Sequence, residues 1–146
     1  MRMIIIYNDE VILHSEVSMQ QSDFKVHDIS AFPKVRCEAS RIYPGYGPQW
    51  RDELEALIAR DEPFYLVFSA GEFDETQEDI RLRTIWLKEN KDRFARVCKS
   101  IVNIEPDDAK REKLAKLSAG AEKAFGIPGF VVRSEIEAAE AGVKSL

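Results

Sequence analysis

The strongest constraint on this chain is the run Phe64-Tyr65-Leu66-Val67-Phe68, five apolar residues with no polar interruption, entered through Pro63 and left through Ser69-Ala70-Gly71. A strand that is half in water alternates polar with apolar residues, so a strand with no alternation needs cover on both faces. The run therefore predicts a central, buried strand. The acidic stretch after Gly71 then predicts a strand-to-helix turn, with the helix running from about Asp74 to Phe94.

The flanking patterns build a sheet around that strand. Met3 to Tyr7 and Val11 to His14 are β-rich runs separated by Asn8-Asp9-Glu10, a hairpin signal. Phe24 to Ser30 shows weak alternation, and Val35, Cys37 and Ala39 alternate with Lys34, Arg36 and Glu38 as a half-solvated antiparallel strand does. Trp50, Leu54, Leu57 and Ile58 recur at helical spacing and predict an amphipathic helix over 49–60, ended by Asp61-Glu62-Pro63. Val97 to Ile104 is a further strand. The next helix starts at Pro106 with Asp107 and Asp108, ends at Gly126, and has Leu114, Leu117, Ala121 and Phe125 as its buried stripe. Phe130 to Val132 is a short strand, and Ser134 with Glu137 forms a capping box for a last helix carrying Ile136, Ala139 and Val143. The expected fold is one α/β domain over residues 1–146. It has a single mixed sheet, an N-terminal antiparallel meander and right-handed βαβ crossovers after it.

Length and charge narrow the function classes. A chain of 146 residues suits one domain that buries about 70% of its unfolded surface. A net charge of -5, with basic residues not gathered on one side, argues against nucleic acid. No apolar run approaches a membrane span, and the start of the chain turns acidic too soon for a signal peptide, so a cytoplasmic protein is expected. Cys37 and Cys98 lack metal or CxxC spacing and are expected to be reduced core residues. The sequence has none of the phosphate-loop, dinucleotide, zinc-protease or serine-hydrolase motifs. No metal and no cofactor are expected.

Once these elements are laid out, the hairpin start, the turn at Leu66 to Gly71 and the ending Phe130 to Ala139 resemble the STAS fold of anti-sigma-factor antagonists, in its SpoIIAA-like branch. The resemblance implies a regulatory interaction domain with a phosphorylatable hydroxyl at the helix start after the central strand, which makes Ser69 the candidate phosphosite. Phe68 departs from that pattern, since a polar residue is expected before the hydroxyl. The carboxylates of Glu72, Asp74, Glu75, Glu78 and Asp79 also repel a phosphate there. The same carboxylates offer hard-cation ligands, with Glu75 and Asp79 one turn apart, but stabilisation by the helix dipole explains them without a metal.

Two surfaces remain as candidates. Tyr43-Pro44-Gly45-Tyr46-Gly47-Pro48 shapes a fixed turn carrying Tyr43 and Tyr46 next to Trp50, which either bind a partner or pack down as a core lid. On the long helix, Phe73, Ile80, Leu87 and Phe94 form one stripe for the sheet. Leu82, Ile85 and Trp86 fall opposite, as an interaction patch or as a flank covered by another part of the chain. The expected function is a small non-enzymatic interaction or regulatory module that binds a protein partner or forms a homodimer. The rival is an enzyme or ligand-binding domain with its pocket at the carboxyl end of the central strand, using Ser69, Glu72 and Tyr46 with Arg81 or Arg83. His14 and His27 have no partner at a recognisable catalytic spacing.

Overall fold

The computed structural model describes residues 19–146. The expected hairpin of Met3 to Tyr7 and Val11 to His14, with its histidine, lies outside the described residues. Within them, five strands form one mixed sheet in the order β1-β2-β3-β4-β5. These are β1 (His27–Ala31), β2 (Lys34–Cys37), β3 (Phe64–Phe68), β4 (Cys98–Ile104) and β5 (Gly129–Val132). β1 and β2 are antiparallel, and every later neighbour is parallel. The run Phe64 to Phe68 is the middle strand, with its first four residues buried.

Four helices accompany the described strands: α1 (Gly47–Arg60), α2 (Gln77–Val97), α3 (Asp108–Phe125) and α4 (Glu135–Ser145). α1 and α2 pack together on one face, over Val35, Cys37, Phe64 and Leu66. α3 lies beside α2 against β5. α4 covers the other face, over Tyr65, Val67, Val102 and Ile104. The two clusters explain the unbroken apolar run: Phe64 and Leu66 point one way, Tyr65 and Val67 the other. β4 keeps its own alternation by a register shift opposite Phe64 and Tyr65.

Local chemistry sets most of the helix ends. Asp61 takes a left-handed conformation (φ 56°) at the end of α1, and Gly126 does the same (φ 75°) after α3. Asp107 caps α3 through the Lys110 amide, and Ser134 caps α4 through the Glu137 amide. Glu137 reaches back to the Arg133 amide, one residue before the cap, so the reciprocal half of the expected box is displaced.

Two expectations about helix faces need correction. Leu117 and Ala121 were expected on the buried stripe of α3, yet both are exposed, and no residue of that helix is fully buried. Among the described residues α3 ends the helical layer and packs chiefly on β5 and α2. The side facing β5 carries Ser118, so close that a Cβ on Gly129 would fall 2.3 Å from its hydroxyl. In α4 the inward residues are small: Ala138 and Gly142 are buried, with Ala141 packed beside them. Ile136 and Val143 point outward, because the Tyr65 ring fills the space under Gly142, where a Cβ would lie 2.2 Å from it.

Candidate functional site

The carboxyl end of the central strand is the place where a pocket was expected. A cleft of about 290 Å³ lies there, lined by Phe68, Ser69, Phe73, Asn103, Glu105 and Leu114. Its polar groups do not converge on a reacting position. Ser69 makes no side-chain hydrogen bond among the described residues, and its amide donates to the Cys37 carbonyl at 3.3 Å. Glu72 is exposed on the following loop, and Arg81 is exposed on α2. The sheet is singly wound, with strands in chain order and no reversal. Among the described residues it therefore has no crevice of the kind that opens where neighbouring crossovers diverge to opposite faces.

Ser69 is also not at a helix start, which corrects the expectation attached to it. α2 begins at Gln77, and Thr76 is its cap. Residues Ser69 to Glu75 are an irregular connection that turns at Gly71 (φ 130°). The reason is a stronger competing site three residues into the helix. Asp79 accepts from the Thr76 amide at 3.0 Å while its own amide donates to the Thr76 hydroxyl at 3.0 Å. The same carboxylate accepts from the amides of Gly45 (2.8 Å) and Gly47 (3.0 Å). Burial opposes the charged form of Asp79. The amides of Thr76, Gly45 and Gly47 outweigh it and hold the carboxyl below its ordinary range.

That carboxylate fastens the Tyr43 to Trp50 loop to α2, and the loop proves to be mainly a lid. Tyr46 is fully buried and donates its hydroxyl to Glu75 at 2.7 Å, while Arg83 holds the same carboxylate at 3.0 Å. Burial, followed by the Glu75 hydrogen bond, raises the Tyr46 pKa. Trp50 is buried edge-on against Trp86, with ring centroids 5.5 Å apart. Of the three aromatics only Tyr43 faces water. The structure thus joins Tyr46 with Arg83 through Glu75, and among the described residues no side-chain hydrogen bond links them to Ser69 or Glu72.

The patch of Leu82, Ile85 and Trp86 is likewise taken up within the chain. Trp86 is 6% exposed, wedged between Trp50 and Phe94, with its indole N–H donating to Glu55 at 3.0 Å. Leu82 packs against the same core, and Ile85 alone stays exposed. α2 is the middle helix of its layer, so it needs an apolar flank toward α1 as well as an apolar base toward the sheet. The patch is therefore a correction: its Trp and Leu are core contacts rather than a free surface.

A group that the sequence does not announce lies where α1 meets the entry to β1. Glu53 on α1 is fully buried and accepts from the amides of Lys25 (2.6 Å), Val26 (3.0 Å) and His27 (2.8 Å). It also accepts from Gln49 at 2.6 Å and pairs with His27 Nδ1 at 2.8 Å. Because a carboxylate only accepts, Nδ1 carries the hydrogen. Burial would raise the Glu53 pKa, but the hydrogen bonds from His27, Gln49 and the Val26 and Lys25 amides lower it from 4.5 to about 2. His27 sits opposite Cys37 in the β1–β2 register, so a cysteine, a histidine and a carboxylate lie together. All three are fully buried, and burial pushes the Cys37 thiol up to about 12, which keeps it protonated. The group anchors the entry to β1 on α1; it does not face a substrate. Its sequence signal was Glu53 itself, a charge at the edge of the arc of Trp50, Leu54 and Leu57, next to Leu57; such a charge cannot be buried without partners.

The outward side of α4 was also missed. Ile136 is 74% exposed and Val143 60%, Leu146 is exposed as well, and so is Phe130 on β5. A groove of about 360 Å³ runs between α4 and β5, lined by Phe130, Glu137, Glu140, Ala141 and Lys144. Among the described residues no group of three or more His, Cys, Asp or Glu side chains is placed to hold a metal ion, and no helix is long and apolar enough to cross a membrane. No family model matches the chain, and no curated protein or solved structure matches it either.

Proposed function

We infer that this protein is a small, non-enzymatic interaction module that works by binding a protein partner or a second copy of itself. The observation that carries the reading is the outer side of α4. Ile136, Val143 and Leu146 stand in water on a helix whose inner side is made of small residues, an arrangement that local stability does not require. The groups that could have done chemistry are engaged elsewhere: His27 and Glu53 hold β1, Cys37 is buried and protonated, and Arg83 and Glu75 hold the lid. The antiparallel β1–β2 pair leading into parallel βα units, with the Leu66 to Gly71 turn at the centre, supports placing the chain beside STAS-like interaction domains.

The test is the apparent mass of the full chain in an extract of the cells that make it, measured on a sizing column. A species well above the monomer mass of 16.7 kDa, reduced by Ile136→Asp with Val143→Asp, is the expected result. A monomer in the extract, unchanged by the double substitution, would refute the reading.

A further inference from the structure

We propose that the cleft at the carboxyl ends of β3 and β4 binds a small, flat organic cation of the amidinium or guanidinium class. Such a site lies outside the interaction reading and uses no residue of α4. The cleft is a consequence of how α2 begins. Asp79 is fastened to the amides of Gly45 and Gly47, which draws the first turn of α2 toward α1. The connection 69–76 has to reach that turn, and a gap of about 290 Å³ is left between the connection and Leu114 of α3, over the ends of the two strands. That volume is near the lower end of the roughly 300–1,000 Å³ that small-molecule sites span, so it suits a single ring or a short chain.

The groups lining the cleft specify the charge and shape of its ligand. Phe68 and Phe73 stand with ring centroids 6.0 Å apart and both pack against the core, so their rings supply fixed apolar walls. A cation near an aromatic face is attracted by the ring quadrupole, and a planar cation can lie along that face. The polar groups add acceptors. Glu105 accepts from the Asp107 amide at 3.1 Å through Oε2, while Oε1 has no partner and the carboxylate no ion pair among the described residues. The Asn103 carboxamide and the Ser69 hydroxyl make no side-chain hydrogen bond among the described residues, and each offers an oxygen that can accept. An anion meets the opposite conditions, because no Lys or Arg lines the cleft. Arg111, a cation that touches a lining residue, is held by the carbonyls of Glu105 (3.1 Å) and Pro106 (3.2 Å) and by Asp108. An amidinium suits the whole set: its planar fork of N–H donors matches the acceptors of Glu105 and Asn103, and the flat group it carries matches Phe68, Phe73 and Leu114.

Benzamidine, benzamide and benzoate test this, because they share one shape and differ in charge. Titrated into the full chain and followed by backbone amide chemical shifts, benzamidine should give saturable changes confined to residues 69–73 and 103–105. Benzamide and benzoate should each bind at least about tenfold more weakly, since neither forms the charge-assisted bond to Glu105. Glu105→Gln should weaken benzamidine by about tenfold, leave benzamide unchanged and keep the melting temperature. Leu114→Trp, which fills the cleft from α3, should abolish benzamidine binding. Any of four results would overturn the proposal: benzamide binding as tightly as benzamidine, shifts centred elsewhere on the chain, a Glu105→Gln protein that binds benzamidine as wild type does, or no saturation up to about 10 mM. A folded Leu114→Trp protein that still binds benzamidine would overturn it too, which keeps the test decisive should Glu105→Gln fold poorly.

Discussion

Replacing Glu53 with alanine should be among the most damaging single changes in this protein, even though no ligand is near it. The substitution removes the acceptor shared by the Val26 and His27 amides, the His27 ring and Gln49, all within 3.0 Å of the carboxylate. Leaving one side of such a buried group unpaired costs about 3–5 kcal/mol. The titration supports a similar figure. A carboxyl whose pKa falls from 4.5 to about 2 on folding contributes on the order of 3 kcal/mol, since each unit is worth about 1.4 kcal/mol. Its folded value is depressed, so the contribution is complete above the unfolded value of 4.5 and fades as pH falls through the folded value near 2. Guanidinium unfolding followed by far-ultraviolet circular dichroism, at about pH 7 and about pH 3, should show two things. Near neutrality Glu53→Ala loses about 3–5 kcal/mol with an unchanged denaturant slope, a fall of roughly 6–15 °C in melting temperature. On acidification wild type should lose more stability than the variant. A variant within about 1 kcal/mol of wild type, or parallel acid losses in the two proteins, would mean that water replaces the carboxylate, and the anchoring argument would fail.

Three further outcomes are expected. Gly142→Ala should lower stability by about 1–3 kcal/mol, because the new methyl meets the Tyr65 ring, and Tyr65→Leu in the same chain should recover part of the loss in a thermal melt. Trp86→Ala should cost about 3–5 kcal/mol while leaving the sedimentation behaviour of the folded protein unchanged; a loss of assembly without a loss of stability would return Trp86 to the surface. Cys37 and Cys98, with thiols pushed up to about 12 by burial, should be silent toward a thiol reagent at mildly alkaline pH and should both react in denaturant; fast labelling of either in the native protein would show that its site opens.

The features legible in the sequence are those decided by neighbours along the chain. The central strand announced itself because Phe64 to Phe68 has no polar residue to turn outward. The ends of α1, α3 and α4 did so because Asp61, Gly126, Asp107 and Ser134 act within one helical turn. The mixed α/β sheet followed from the order of the elements. The start of α2 escaped that reading because the acidic residues after Gly71 offered several first turns. The winner, Thr76 with Asp79, was chosen by the Gly45 and Gly47 amides, more than thirty residues away. Glu53 and His27 met for the same kind of reason, since their pairing exists only once α1 crosses the entry to β1.

Helical periodicity marks an apolar stripe but not what the stripe faces. Leu82 and Trp86 lie on a flank that α1 covers only because α2 occupies the middle of its layer, whereas Leu117 stays in water because α3 ends that layer. In α4 the largest apolar residues were turned outward by one aromatic ring, Tyr65, which leaves room beneath the helix only for Ala138, Ala141 and Gly142. Burial favours apolar area, but close packing admits only the side chains that fit. The sequence states how much apolar area a helix carries; the shape of the surface beneath it decides which residues can use it.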